Sequence, residues 1–304
     1  MENIPLPAEN KFLLGGGGAG KDPEKAAKIF NSHREDVLDF MRRSFGPGVD
    51  RIFVCVGAGG GTGNGCAVPL ANTCIELMEA LRVPAKVGVI VALPKNSEGR
   101  KVCANAYSVL NALQELNEAQ KISPLIVLDN ERIEDIYPGL AVDPFWNTAN
   151  KSIASLFHLF NTIAVKSSHY TSFDQTDYKT ILDSGLIIFG ATPVVNYNDS
   201  ASISYAIRDG LQKNMLAGGI DLSTGSIAGA IIIGGQKILE SVPQADLDHA
   251  FEQLSRLLKG GNTIHRGIYR GNKDNLVVYT VLGGLGKPKE RLDELQKLGD
   301  IKYP

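Results

Sequence analysis

Residues 57–65 read GAGGGTGNG, with six glycines in nine positions, between the apolar run RIFVCV at 51–56 and a helical pattern that begins near Cys66. A strand, a glycine turn and a helix in direct succession form the unit from which nucleotide-binding α/β sheets are built. Glycine loses more backbone freedom on folding than any other residue, so a turn this rich in it needs a purpose beyond connection. Exposed amides at a helix start, with the Thr62 hydroxyl among them, suit a di- or triphosphate. A dinucleotide fingerprint G-x-G-x-x-G would require glycine where Thr62 stands, which weakens that reading.

A second cluster, GGGGAGK at 15–21, runs into Asp22 and Pro23. Asp22 is a natural N-cap and Pro23 fits the first helical position, so this turn too stands before a helix dipole. It nearly matches the P-loop G-x-x-x-x-G-K-[ST], but Asp22 occupies the position where a hydroxyl would hold Mg²⁺. An anion nest and a plain glycine turn are the remaining readings.

Periodicity supplies the frame around these turns. Ala26, Phe30, Val37 and Met41 predict one helix over 23–45, followed by buried strands at 51–56, 86–93 and 124–128. Helices over 67–81 and 100–116 separate them, and this alternation implies a parallel sheet covered on both faces. A long helical pattern spans about 144–165, and a shorter one starts near Asp174. Beyond it, strands at 185–190, 226–234 and 275–282, with helices at 200–214 and 246–258, suggest a second sheet and a second domain. A charged tail helix covers 289–298. Lys and Arg number 31 against 33 Asp and Glu, a net charge of −2, which argues against coating nucleic acid. No apolar run approaches the roughly 18 residues of a membrane helix. Cys55, Cys66, Cys74 and Cys103 form no C-x-x-C pair and read as reduced core residues.

The loop GAGGGTGNG resembles the glycine-rich signature of the tubulin/FtsZ superfamily in its bacterial and archaeal form, and the resemblance runs in order from GAGKDPE to LGGLGKPKERLDEL. It implies an α/β protein with a parallel-sheet GTP-binding domain over 1–143. A central helix over 144–166 would join it to a smaller α+β C-terminal domain over 167–304. It further implies a cytoplasmic GTPase that polymerises head to tail with copies of itself, without direct nucleic-acid contact or membrane insertion. Mg²⁺ would be held mainly by the GTP. The resemblance puts Gly57, Gly59, Gly60, Gly61, Thr62, Gly63 and Asn64 on the phosphates, and the anion-nest reading of the first cluster adds Ala19, Gly20 and Lys21. Glu98, in KNSEGRK, matches the ribose contact; Val102 stands where the family usually has a basic residue, leaving a phosphate contact to Arg100 or Lys101. Asn130, in LDN, matches a sugar and base contact, and Trp146 and Asn150, four apart on one helix face, match the guanine contacts.

Asp174 and Asp177, in TSFDQTD, match the catalytic segment N-x-D-x-x-D, with Ser172 in place of the asparagine. In the family this segment acts on the nucleotide of the next subunit. On the residues alone, Asn130 is equally a turn former, Trp146 a core aromatic and the two aspartates helix caps. A non-hydrolysing assembly protein and an unrelated P-loop or Rossmann enzyme are the alternative functions. The family also opens with a strand and a G-x-x-G-x-N-type loop, where MENIPLPAENKFLL stands here, so GTP binding weaker than submicromolar is expected.

Overall fold

Asp22 accepts the Lys25 N–H at 3.1 Å and Pro23 fills the first helical position, so α1 (Pro23–Ser32) starts where its sequence covers the orphan donors best. These contacts belong to a computed structural model that describes residues 5–15, 17–46, 48–84, 86–139, 141–199, 201–212, 219–258 and 263–300. Where periodicity predicts one helix over 23–45, the structure has two. His33, at φ −113° and ψ 13°, breaks the pattern before α2 (Arg34–Ser44). The apolar face is kept across the break, with Ala26, Phe30, Val37, Leu38 and Met41 buried.

Next come β1 (Phe53–Gly57), α3 (Gly61–Ala80), β2 (Val87–Leu93), α4 (Arg100–Glu118) and β3 (Ile122–Asp129). β1 pairs parallel with β2, placing Gly88 opposite Phe53, where a Cβ would strike the phenyl ring. Every residue of β3 is buried, as its run PLIVL predicts. β1 ends the strand order, and its outward positions leave Cys55 exposed, so Cys55 is a free thiol but not a core one. Cys66, Cys74 and Cys103 are free and buried.

The chain forms two compact units, Met1–Leu125 with Leu292–Pro304, and Ile126–Arg291, so the division falls inside β3. The second unit contains α5 (Asn130–Ile136), α6 (Val142–Ile163), α7 (Gln175–Leu182), β4 (Leu186–Val194), α8 (Ser202–Gln212) and β5 (Ile227–Gly234). α9 (Gln236–Ser241), α10 (Gln244–Leu257), β6 (Thr263–Arg270) and β7 (Leu276–Leu285) complete it. The strand order is β1-β2-β3-β4-β7-β5-β6, so the separate second sheet suggested by the change of pattern is not formed. The change reflects β7, which runs antiparallel to both β4 and β5, whereas β6 is parallel to β5.

Four aromatic rings hold the second unit's core. Phe160 of α6 packs on Phe173 (6.0 Å between centroids), Tyr178 of α7 (5.8 Å) and Phe189 of β4 (5.2 Å). Phe160 and Phe173 are fully buried, each contributing about 1.5–3 kcal/mol of transfer free energy. Phe173 therefore pins the segment that enters α7. The tail helix α11 (Lys289–Asp300) buries Leu292 and Leu295 as its pattern predicts. Its end meets α4, with Arg100 Nε donating to the Gly299 carbonyl at 2.6 Å and Gly299 leaving room for Ala104. Among the described residues, no helix is long and apolar enough to cross a membrane.

Candidate functional site

The two glycine segments meet in the first unit. Helix α3 begins at Gly61, not near Cys66, so residues 61–65 are its first turn rather than a loop. A Cβ on Gly61 would lie 2.5 Å from the Asp22 nitrogen and 3.0 Å from the Ala19 Cβ. On Gly63 it would collide with the Gly57 carbonyl, and on Gly65 with the Pro23 carbonyl and the Ala26 Cβ. Gly59 leaves space for Val102, which is buried. These four glycines are therefore demanded by close approach of their neighbours. Gly57 and Gly60 have nothing within 4 Å of a Cβ, so theirs is the open side.

Asn105 of α4, buried, ties the segments together: its Nδ2 donates to the Lys21 carbonyl at 3.3 Å and to the Gly59 carbonyl at 3.2 Å. Its own backbone carbonyl accepts from Asn64 Nδ2. Gly20 and Lys21 both have φ near +61°, a conformation natural for glycine and strained for lysine. Ala19 is buried, and Gly20, Lys21 and Thr62 are exposed beside the start of a 20-residue helix. That start carries the positive end of the macrodipole and N–H groups that the helix itself does not use. The arrangement can hold an anion by backbone donors with one ammonium nearby.

In the second unit, Asp174 and Asp177 form a reciprocal cap on α7. Asp174 Oδ1 accepts the Asp177 N–H at 2.9 Å, and Asp177 Oδ2 accepts the Asp174 N–H at 3.0 Å. Asp177 Oδ1 lies 2.6 Å from His265 Nδ1 on β6. Tyr269, further along β6, accepts the Phe173 N–H at 2.8 Å, with the Phe173 carbonyl 3.2 Å away to take its proton. Burial, and then the charges of Asp177 and Asp174, push the Tyr269 phenol above its usual range, against the opposing effect of the Phe173 hydrogen bond. Asp174 is exposed and Asp177 partly so.

A family model described as "Tubulin like" matches residues 24–186, more than half of the chain. The chain belongs to the tubulin-like family. Among tubulin-like relatives, the protein TubZ of Bacillus cereus is 25% identical over 165 residues, covering 53% of this chain and 35% of TubZ. Cell division protein FtsZ 1 of Pyrococcus furiosus is 27% identical over 196 residues, covering 62% of this chain and 47% of its own length. The matches thus span between a third and a half of these curated relatives. A GTPγS-form protofilament crystal structure of TubZ from Bacillus thuringiensis serovar israelensis superposes with a TM-score of 0.83 at 20% identity, over 98% of this chain and 80% of TubZ. A GTPγS-bound protofilament of CetZ2 from Haloferax volcanii gives 0.76 at 20% identity, over 94% and 81%. Both show the tubulin-like fold.

The remaining family positions are spread over several turns and helices. Glu98 accepts the Lys95 N–H at 2.8 Å, which folds the turn after β2 upon itself, and Arg100 is engaged by Gly299. Asn130 is the first residue of α5, half-buried, beside a buried ion pair of Asp129 with Arg291 at 3.0 Å. Asn150 is exposed on α6. Trp146 lies on the same helix, and its side chain falls outside the described residues. Sequence reasoning missed Asn105, His265 and Tyr269. Asn105 sits at an ordinary-looking position of an amphipathic helix, and the two β6 residues lie in a strand that the periodicity did not reveal.

Proposed function

We propose that this tubulin-like chain binds GTP on the paired glycine segments and assembles head to tail with copies of itself, hydrolysing GTP between subunits. The observation that carries this reading is the convergence of the two segments at the start of α3, tied by Asn105 and open at Gly57 and Gly60. Open glycine positions, an exposed lysine and a helix N-terminus fit a polyphosphate. The phosphates would rest on residues 19–21 and 57–64, with Mg²⁺ held mainly by the nucleotide itself. Family position supports Glu98 as the ribose contact and Asn130, Trp146 and Asn150 as sugar and base contacts, and with Val102 at the family's basic position Arg100 or Lys101 would supply the phosphate contact. Protofilaments named for TubZ and CetZ2 support self-assembly.

Hydrolysis needs a water placed in line with the γ-phosphate, which is largely a matter of positioning and electrostatics. Asp174 and Asp177 would accept hydrogen bonds from that water, their spacing held by the reciprocal cap. Sedimentation and phosphate release with GTP and with GDP test the proposal; polymer that pellets equally with either nucleotide, without phosphate release, contradicts it. A second reading, assembly without hydrolysis, is favoured by one observation: both aspartates are already engaged as caps, and Asp177 also by His265. GTP-dependent pelleting with phosphate release at the level of a blank would select it.

A further inference from the structure

We propose that His265 is a positioning residue that fixes the Asp177 carboxylate before a neighbouring subunit arrives, an inference that rests on the hydrolytic reading of Asp177. On a strand, alternate residues share a face, so His265, Gly267 and Tyr269 of β6 point the same way. All three serve the segment entering α7. Tyr269 clasps the backbone of Phe173 through its hydroxyl. Gly267 leaves room for Phe173, since a Cβ there would lie 3.0 Å from the Phe173 Cβ. His265 places Nδ1 2.6 Å from Asp177 Oδ1, with its ring edge-on to Phe173 at 6.4 Å. This face of β6 is a socket for residues 173–177, and His265 is its only contact with a carboxylate among the described residues.

Nε2 of His265 is buried without a hydrogen-bond partner among the described residues. A carboxylate oxygen can only accept, so the Nδ1 atom 2.6 Å from it carries a proton and donates to Asp177. Asp177 is then held at both oxygens, by the Asp174 N–H on one and by His265 on the other. A carboxylate held twice has one orientation to present. His265 touches no substrate in this scheme and acts through Asp177.

The test compares GTP turnover by the full chain with that of His265→Phe, His265→Asn and Asp177→Ala, each normalised to the protein that sediments with a slowly hydrolysed GTP analogue. Phenylalanine fills the site beside Phe173 without a donor, whereas the asparagine amide places an N–H where Nδ1 was. His265→Phe is expected to lower kcat by about tenfold, as a misplaced catalytic group does, with KM and sedimentation little changed. His265→Asn should recover most of that loss, which a purely structural role for the imidazole would not produce. Turnover lost in Asp177→Ala but kept in His265→Phe, or equally low in His265→Phe and His265→Asn, overturns the proposal alone. Turnover that is the same in Asp177→Ala and the parent chain overturns the hydrolytic reading and the proposal with it.

Discussion

Asn105, which the family pattern does not name, joins the two glycine segments through one side-chain amide. Its amide holds the carbonyls of Lys21 and Gly59, so Asn105→Ala leaves two backbone acceptors without that donor. The variant should lose about 1–3 kcal/mol of stability in urea denaturation and bind GTP more weakly by calorimetry. Stability lost with affinity intact would separate Asn105 from the site. Cys74 makes a different prediction. Burial pushes its thiol up to about 12 from 9.0. Below pH 9 the thiol is protonated in both folded and unfolded chains, and above it the unfolded chain loses the proton first. Its contribution is therefore complete below about pH 9 and is lost as pH rises toward 12. The urea midpoint should fall over that window, less steeply in Cys74→Ala; an identical slope in both proteins would contradict the assignment. The cysteines also mark the limit of reading residues singly: the pattern RIFVCV reads as buried throughout, yet β1 ends the strand order and turns Cys55 outward.

At the scale of elements, the glycine-rich start of α3 divides into two sets that sequence cannot separate. Gly61, Gly63 and Gly65 look like a phosphate loop, and the structure shows them pressed against the carbonyls or nitrogens of Asp22, Gly57 and Pro23. Glycine excess is legible in a sequence; which glycines serve packing depends on a crossing of α1 and α3 that only the fold supplies. Gly65→Ala should cost about 1–3 kcal/mol by overpacking, because backbone must move. Gly60→Ala, at φ −82° with open space around a Cβ, should change stability by less than about 0.5 kcal/mol and still weaken GTP binding. Equal effects of the two substitutions on stability would refute the division. The strands of the first unit were legible as short continuous apolar runs, and α4 and α6 because their apolar residues keep the helical period. β6 was not: its sequence TIHRGIYR mixes charge into an end strand whose first half is largely open to solvent. With β6 unread, the contacts behind Asp177 were unread too, although the aspartates themselves stood out by their match to the family segment.

For the whole molecule, the order of glycine signature, long helix and paired aspartates was readable along the chain, and the tubulin-like family is confirmed by the match over residues 24–186. Head-to-tail assembly was implied by the family resemblance alone, because a site of the proposed kind, completed by a second copy, leaves no periodic trace in one chain. The proposed hydrolysis between subunits predicts a distinctive dependence on concentration: a subunit alone would supply nucleotide without the opposing aspartates. The most direct test measures GTP turnover per subunit together with pelletable polymer across a range of protein concentrations, in the parent chain and in Asp177→Ala. Turnover per subunit should rise steeply where polymer first pellets, and in Asp177→Ala the polymer should remain while turnover falls away. Turnover per subunit that is constant across concentration and unchanged in Asp177→Ala would contradict the account.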